Sequence, residues 1–89
     1  LGPGHPRTLL ARRLVAELQC RLGRHDEAVD GITGVLADTE QVHGPDHPGT
    51  LAVLASRAEI LRLVGRAPEA VQERRRLLAV AERTLGPDH

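Results

Sequence analysis

One short motif recurs along this 89-residue chain at a constant interval. It reads Leu1-Gly2-Pro3-Gly4-His5-Pro6, then His43-Gly44-Pro45-Asp46-His47-Pro48, then Leu85-Gly86-Pro87-Asp88-His89, so successive copies stand 42 residues apart. The register holds between the copies without insertion or deletion. Thr8-Leu9 matches Thr50-Leu51, Ala16-Glu17 matches Ala58-Glu59, and Gly23-Arg24 matches Gly65-Arg66. Glu27-Ala28-Val29 matches Glu69-Ala70-Val71, Leu36-Ala37 matches Leu78-Ala79, and Glu40 matches Glu82. A fixed period of about 20–50 residues marks a repeat solenoid, in which a unit buries its apolar face only by stacking on the next. The sequence has no Met and stops inside the third copy, so it is expected to be a slice of a longer array.

Each unit divides into two helical stretches. Pro6 and Pro48 suit the first turn of a helix, where the missing N–H costs nothing and φ is already set. From there Leu9, Leu10, Leu14, Val15, Leu18 and Leu22 fall at three- and four-residue spacings, as do Leu51, Leu54, Ala58, Leu61 and Val64. That is a helical period, not the alternation of a strand. Gly23 and Gly65 stop these helices, since glycine accepts the positive φ that commonly follows a helix end. The second helices carry Ala28, Val29, Ile32, Val35, Leu36 and Val42 in one unit, and Ala67, Ala70, Val71, Leu77, Leu78 and Ala81 in the other. The predicted architecture is all-α, a solenoid of antiparallel helix pairs with four helices in two units. Unit one spans 1–42 with helices at about 6–22 and 26–42. Unit two spans 43–84 with helices at about 48–64 and 67–85, and 85–89 begins a third. Gly31 and Gly34 lie inside a helix, where each costs about 1 kcal/mol relative to Ala; they permit either close helix approach or a softer, bent helix. Arg57 and Arg74 stand where the other unit has Val15 and Ile32. Either their stems cover apolar surface, or a neighbouring helix is missing on that side.

Composition narrows the function. The formal charge is zero, which argues against a dedicated nucleic-acid or membrane-surface binder. No apolar run of about 18 residues and no secretory signal pattern occurs. All twelve basic residues are Arg, which with abundant Ala, Leu, Gly and Val fits a GC-rich coding bias and a bacterial source. Phe, Tyr and Trp are absent, so the core is aliphatic and stability is expected to be modest. The single Cys20 has no disulfide partner in the chain; it suits a reducing, cytoplasmic setting and reads as a small half-buried helix residue. His43 and His47 are four apart but separated by Gly44-Pro45, so they do not share a helical face as a zinc pair would. His5, His47 and His89 recur with the repeat, which suggests cap or loop packing. Arg74-Arg75-Arg76 spans most of a helical turn and reads as a solvated face. With no phosphate loop, nucleophile elbow or paired catalytic carboxylates, no enzyme, cofactor or metal is predicted.

The Gly-Pro-x-His-Pro-x-Thr-Leu segment, the Gly-Arg turn and the Glu-Ala pair after it (Glu27-Ala28, Glu69-Ala70) together resemble the tetratricopeptide repeat. The resemblance is to its 42-residue variety, found in kinesin light chains and many bacterial signalling proteins. It covers the whole chain. It implies that Ala16, Ala28, Ala58 and Ala70 occupy the close contacts between helices, and that the first helices line an inner groove. The candidate groove-lining residues are then Arg13, Glu17, Cys20, Arg21, Ala55, Glu59, Arg62 and Leu63. The family's paired inner Asn residues are replaced by Arg13-Leu14 and Ala55-Ser56, and its aromatic positions by Gln19, Leu61, His25 and Ala67. Two functions follow. One is a protein-protein interaction scaffold in a regulatory or signalling protein, with an unidentified protein or peptide partner. The alternative, which the missing Asn pairs and aromatics favour, is a structural or self-associating spacer or sensor arm. Glu17 and Glu59 could meet such a peptide, but pairing with Arg21 and Arg62 on their own helices is the favoured expectation. Leu10, Leu14 and Leu18 on the first helix, and Val71, Leu78 and Leu85 on the last, are expected to be exposed where neighbouring units are missing. The fragment should therefore self-associate, by stacking end to end or by helix exchange through Gly31/Gly34 as a domain-swapped dimer; a closed two-fold dimer is expected over head-to-tail stacking, which would run on as a filament.

Overall fold

The computed structural model describes Gly2 and residues 4–85, with the backbone alone at Leu85; the rest of the third motif, 86–89, lies outside the described residues. Four helices follow one another: α1 (Pro6–Arg21), α2 (His25–His43), α3 (Pro48–Leu63) and α4 (Ala67–Leu85). Their ends are written in the motif. His5 and His47 are N-caps, and each imidazole Nδ1 accepts from a backbone N–H two residues on, from Arg7 at 3.2 Å and Gly49 at 2.9 Å. Such a bond satisfies one of the four N–H groups that a helix start leaves unpaired. The proline that follows supplies no N–H and needs none. α2 starts without a side-chain cap, with Asp26 and Glu27 in its first turn favouring the positive end of the helix dipole.

Both short turns are Schellman closures. Arg24 N–H reaches Gln19 C=O at 2.8 Å and Gly23 N–H reaches Cys20 C=O at 3.1 Å. One repeat later Arg66 meets Leu61 at 2.8 Å and Gly65 meets Arg62 at 3.1 Å. The closure needs a left-handed residue, and Gly23 and Gly65 have φ of 80° and 87°. Gly44, at φ 84° and ψ 168°, holds a backbone region that is almost reserved for glycine; its carbonyl accepts from the buried Thr50 hydroxyl at 2.7 Å. That bond ties the linker between the units back onto α3.

The helices form antiparallel pairs, α1 with α2 and α3 with α4, and α3 rests in the angle of the first pair. The inner helices α2 and α3 are each covered from both sides. Ala28, Ile32 and Val35 are fully buried, against Leu54 and Leu61 from α3 in the same core cluster. On the outer helices Leu10, Leu14, Leu18, Val71 and Leu78 are exposed as expected, and Val15 and Leu22 join them. Of the six apolar residues predicted along α1, only Leu9 is buried, with Ala16 and Cys20 completing its inner face; Leu10, Leu14, Val15, Leu18 and Leu22 are about half exposed or more. On α4 the buried residues are Ala70, Glu73 and Val80, while Val71 and Leu78 face solvent. The reason is shared. Helical spacing shows which face is apolar, but α1 and α4 each have a neighbour on one side only. Gly31 needs no close approach, since a Cβ there would meet Ala16 at an ordinary 3.6 Å, and α2 runs unbroken through both glycines.

Arg57 also departs from both readings offered for it. Its guanidinium is bound by Glu73, itself 5 % exposed, and its Nε donates to Thr33 Oγ1 at 3.1 Å. One buried ion pair thus joins α3, α4 and α2 where unit one has Val15 and Gly31.

Two outcomes are expected from these contacts. Gly23→Val forces a β-branched residue to positive φ and should destabilise the fold by at least about 1 kcal/mol, read as a lowered Tm or urea midpoint. Glu73→Ala strands Arg57 and should cost about 1–3 kcal/mol, reduced from the fully buried case by the partial exposure of Arg57. Adding Arg57→Val removes the stranded charge and should recover most of that loss, which a double-mutant cycle measures.

Candidate functional site

The first helices of the two units lie side by side, and a cleft of about 530 Å³ opens between them. α1 contributes Arg13, Glu17, Cys20 and Arg21; α3 contributes Ala52, Ala55, Ser56, Glu59, Ile60 and Leu63. Both sets step along their helix by three or four residues, so each is a single face. Seven of the eight candidate groove residues read from the sequence line this cleft; Arg62 does not. Arg62 is exposed on the surface, where it grips Glu59 through Nε at 3.1 Å and through a terminal nitrogen. Ala52, Ser56 and Ile60 were missed. They continue the same three- and four-residue steps as Ala55, Glu59 and Leu63, which was the available signal.

The cleft carries an internal polar bridge. Arg13 donates to Ser56 Oγ at 3.3 Å, and the Ser56 hydroxyl donates to Glu17 at 3.0 Å. One hydroxyl from α3 therefore holds two opposite charges of α1 in the groove wall. Glu17 is bound to Ser56 across the cleft, not to Arg21 on its own helix as the spacing had offered. Arg21 remains exposed at the cleft margin. Glu59 does pair along its helix, with Arg62, and Arg74 of α4 approaches it at 3.5 Å. Cys20 is a buried free thiol in the α1 wall.

Chemically this is a surface for holding something. Its floor is aliphatic, from Ala52, Ala55, Ile60 and Leu63, and its polar groups are guanidinium, carboxylate and hydroxyl. Among the described residues no three His, Cys, Asp or Glu side chains gather as a metal ion would require. His43 and His47 stack with ring centroids 4.2 Å apart, and His47 Nδ1 is engaged in capping α3. Among the described residues no helix is long and apolar enough to cross a membrane.

Two surface carboxylates are shifted by their partners. The hydrogen bond from Arg62 holds the Glu59 carboxyl below its ordinary value of 4.5, with the nearby charges of Arg62 and Arg74 adding to it against a desolvation effect. The hydrogen bond from Arg66 does the same for Glu69. A carboxyl lowered in the folded state binds fewer protons there than in the unfolded chain, so its contribution is present above pH 4.5 and is lost as pH falls through the lowered folded value. The stability difference between the parent and a Glu59→Gln/Glu69→Gln variant should therefore be measurable near about pH 7 and vanish near about pH 2. Thermal melts across that range check it.

Comparison with known proteins adds one finding. A family profile described as tetratricopeptide repeat matches residues 8–72, well over half of the chain. No curated protein and no solved structure gave a match. The match takes in α1, the first Schellman turn, α2, the linker, α3 and the start of α4, and the helix pairs are those the repeat requires. The chain belongs to the tetratricopeptide repeat family.

Proposed function

We propose that the α1/α3 cleft is a docking groove for an extended segment of a partner protein, and that the chain serves as a protein-protein interaction scaffold. Repeats of this family generally mediate protein-protein interaction. The observation that carries the reading for this chain is the cleft itself, which combines an aliphatic floor with the Arg13–Ser56–Glu17 bridge on its wall. A few placed polar groups over an apolar floor fix the orientation of a bound segment while apolar burial supplies affinity. The site needs no movement of the helices to be reached.

The setting we propose is a longer array of the 42-residue, kinesin-light-chain-like type within a bacterial regulatory or signalling protein of the cytoplasm. The exclusive use of Arg over Lys supports the source, and the lone thiol of Cys20 supports a reducing compartment. The division into units at 1–42 and 43–84 follows the register of the motif.

A peptide library displayed against the 89-residue chain tests the groove. Ala55→Trp fills the cleft from an exposed position, and peptides retained by the parent should bind this variant at least about tenfold more weakly. Arg13→Ala should weaken a subset of them. Leu78→Glu, on the far side of α4, should leave binding unchanged. Peptides insensitive to Ala55→Trp would place recognition elsewhere and overturn the reading.

A further inference from the structure

The two walls of the α1/α3 cleft use the same register positions with different side chains. Arg13, Glu17 and Arg21 line it from α1, and their counterparts 42 residues on, Ala55, Glu59 and Leu63, line it from α3. Charge is neutralised on one wall only. Glu59 is gripped by Arg62 on its own helix and approached by Arg74 of α4 at 3.5 Å. The α3 wall therefore offers a partner the exposed aliphatic surface of Ala55 and Leu63, beside a carboxylate already answered by two cations. On α1 the charges are left standing. Arg13 and Glu17 each meet the neutral Ser56 hydroxyl, and among the described residues neither joins an ion pair. Arg21 is exposed and, among the described residues, has no hydrogen bond or ion pair.

The α1 wall is thus a stripe of cation, anion and cation at steps of four residues. A helix rises about 1.5 Å per residue, so these charges follow one another about every 6 Å. An extended chain rises about 3.3 Å per residue and turns successive side chains to opposite sides, so side chains on one side recur about every 6.6 Å. Over the whole stripe the two spacings differ by about 1 Å, which long charged side chains absorb. We infer that the groove takes an extended segment of a partner protein in which acidic, basic and acidic residues alternate with apolar ones. The charged side chains turn to Arg13, Glu17 and Arg21, and the apolar ones between them turn to the α3 wall. This rests on the α1/α3 cleft being the docking groove.

The alternation sets both composition and register. A uniformly acidic segment places like charge against Glu17, and a uniformly basic one does so against Arg13 and Arg21. Sliding the segment by one residue turns its charges to the aliphatic wall and its apolar side chains to the charged one. Sliding it by two sets acid on Glu17 and base on an arginine. Only one placement satisfies both walls, so the apolar wall supplies burial while the α1 stripe selects the partner and fixes where it stops.

Fluorescence anisotropy with dye-labelled, end-blocked peptides on the 89-residue chain tests this. The probes are Glu-Val-Lys-Val-Glu, its reversal Lys-Val-Glu-Val-Lys, and the uncharged Ser-Val-Ser-Val-Ser, each between Gly-Ser flanks. At low salt the first should bind at least about tenfold more tightly than the other two, and its advantage should shrink toward about 1 M salt. Arg21→Glu changes an exposed side chain with no partner among the described residues, so the fold is kept. It should weaken the first peptide about fivefold or more and leave the serine peptide unchanged. The triple exchange Arg13→Glu/Glu17→Arg/Arg21→Glu should reverse the preference toward the lysine-ended peptide, with far-UV circular dichroism checking the helices. Equal affinity for all three peptides, or a preference that Arg21→Glu does not reduce, overturns the inference. Ala55→Trp separates the two readings. Equal affinities that it abolishes overturn the charge register and leave the groove standing, whereas binding that it does not weaken overturns both. No binding by any of the three below about 1 mM overturns the charge register alone, since the peptide library decides the groove.

Discussion

The burial of α2 on both sides is the constraint from which the rest of this structure follows. A stack of helix pairs without Phe, Tyr or Trp has only Leu, Ile, Val and Ala with which to exclude water, and burial of about 25 cal/mol per Å² rewards it only where a helix is covered. Small residues set the spacing. Ala16, Ala28, Ala58 and Ala70 are all nearly or fully buried, so the helix backbones approach closely and the aliphatic side chains around them reach across. With α2 seated in this way, α3 is drawn beside α1, and the cleft between them is a consequence of that seating.

The two units share a register but solve the same packing problem with different chemistry. Where unit one has Val15 and Gly31, unit two has Arg57 and Glu73, a pair that changes together and makes sense only together. Buried ion pairs rarely exceed an apolar replacement in stability, but they are intolerant of partial loss. Here the pair also touches Thr33 on α2, so it ties the second unit to the first at one register. Arg76 to Glu40, and Arg83 to Asp46 at 3.2 Å, add further links from α4 to the preceding unit and its linker. The inner interface is therefore stitched by charge around an aliphatic centre, while the outer faces of α1 and α4 keep the aliphatic residues uncovered.

What could be read in advance follows from how far each feature depends on its neighbours. Helix limits were legible to within a residue because His-Pro starts and Gly-Arg stops act locally: a cap, a fixed φ and a left-handed glycine need no third element. Groove residues such as Arg13, Glu17, Ala55 and Glu59 were legible because one helical face is set by spacing once the resemblance names which helix lines the groove. The exposure of Leu10, Leu14, Leu18 and Leu78 was expected, but that Val15 and Leu22 share it was not, since an apolar period alone says nothing about whether a neighbour is present. Glu73 was missed for a related reason. Its burial depends on Arg57, sixteen residues back on another helix, and no local pattern announces such a pair. The partner of Glu17 likewise turned on the hydroxyl of Ser56, which spacing along α1 alone does not reveal.

The groove and the stack are coupled through that same hydroxyl. Ser56 accepts from Arg13 and donates to Glu17, so two of the three charges of α1 that line the cleft also form a side-chain link between α1 and α3. A bound segment that takes either charge must replace a hydrogen bond worth about 0.5–1.5 kcal/mol in net terms, and it does so at one of the polar contacts between the units. A segment that instead uses the aliphatic floor of Ala52, Ala55, Ile60 and Leu63 leaves the bridge intact. On the proposed reading, the occupant's chemistry would decide whether binding is silent to the stacked units or is felt as a change in the angle between them. In a solenoid, where each unit contacts only its neighbours, a change at one junction is carried to everything stacked beyond it.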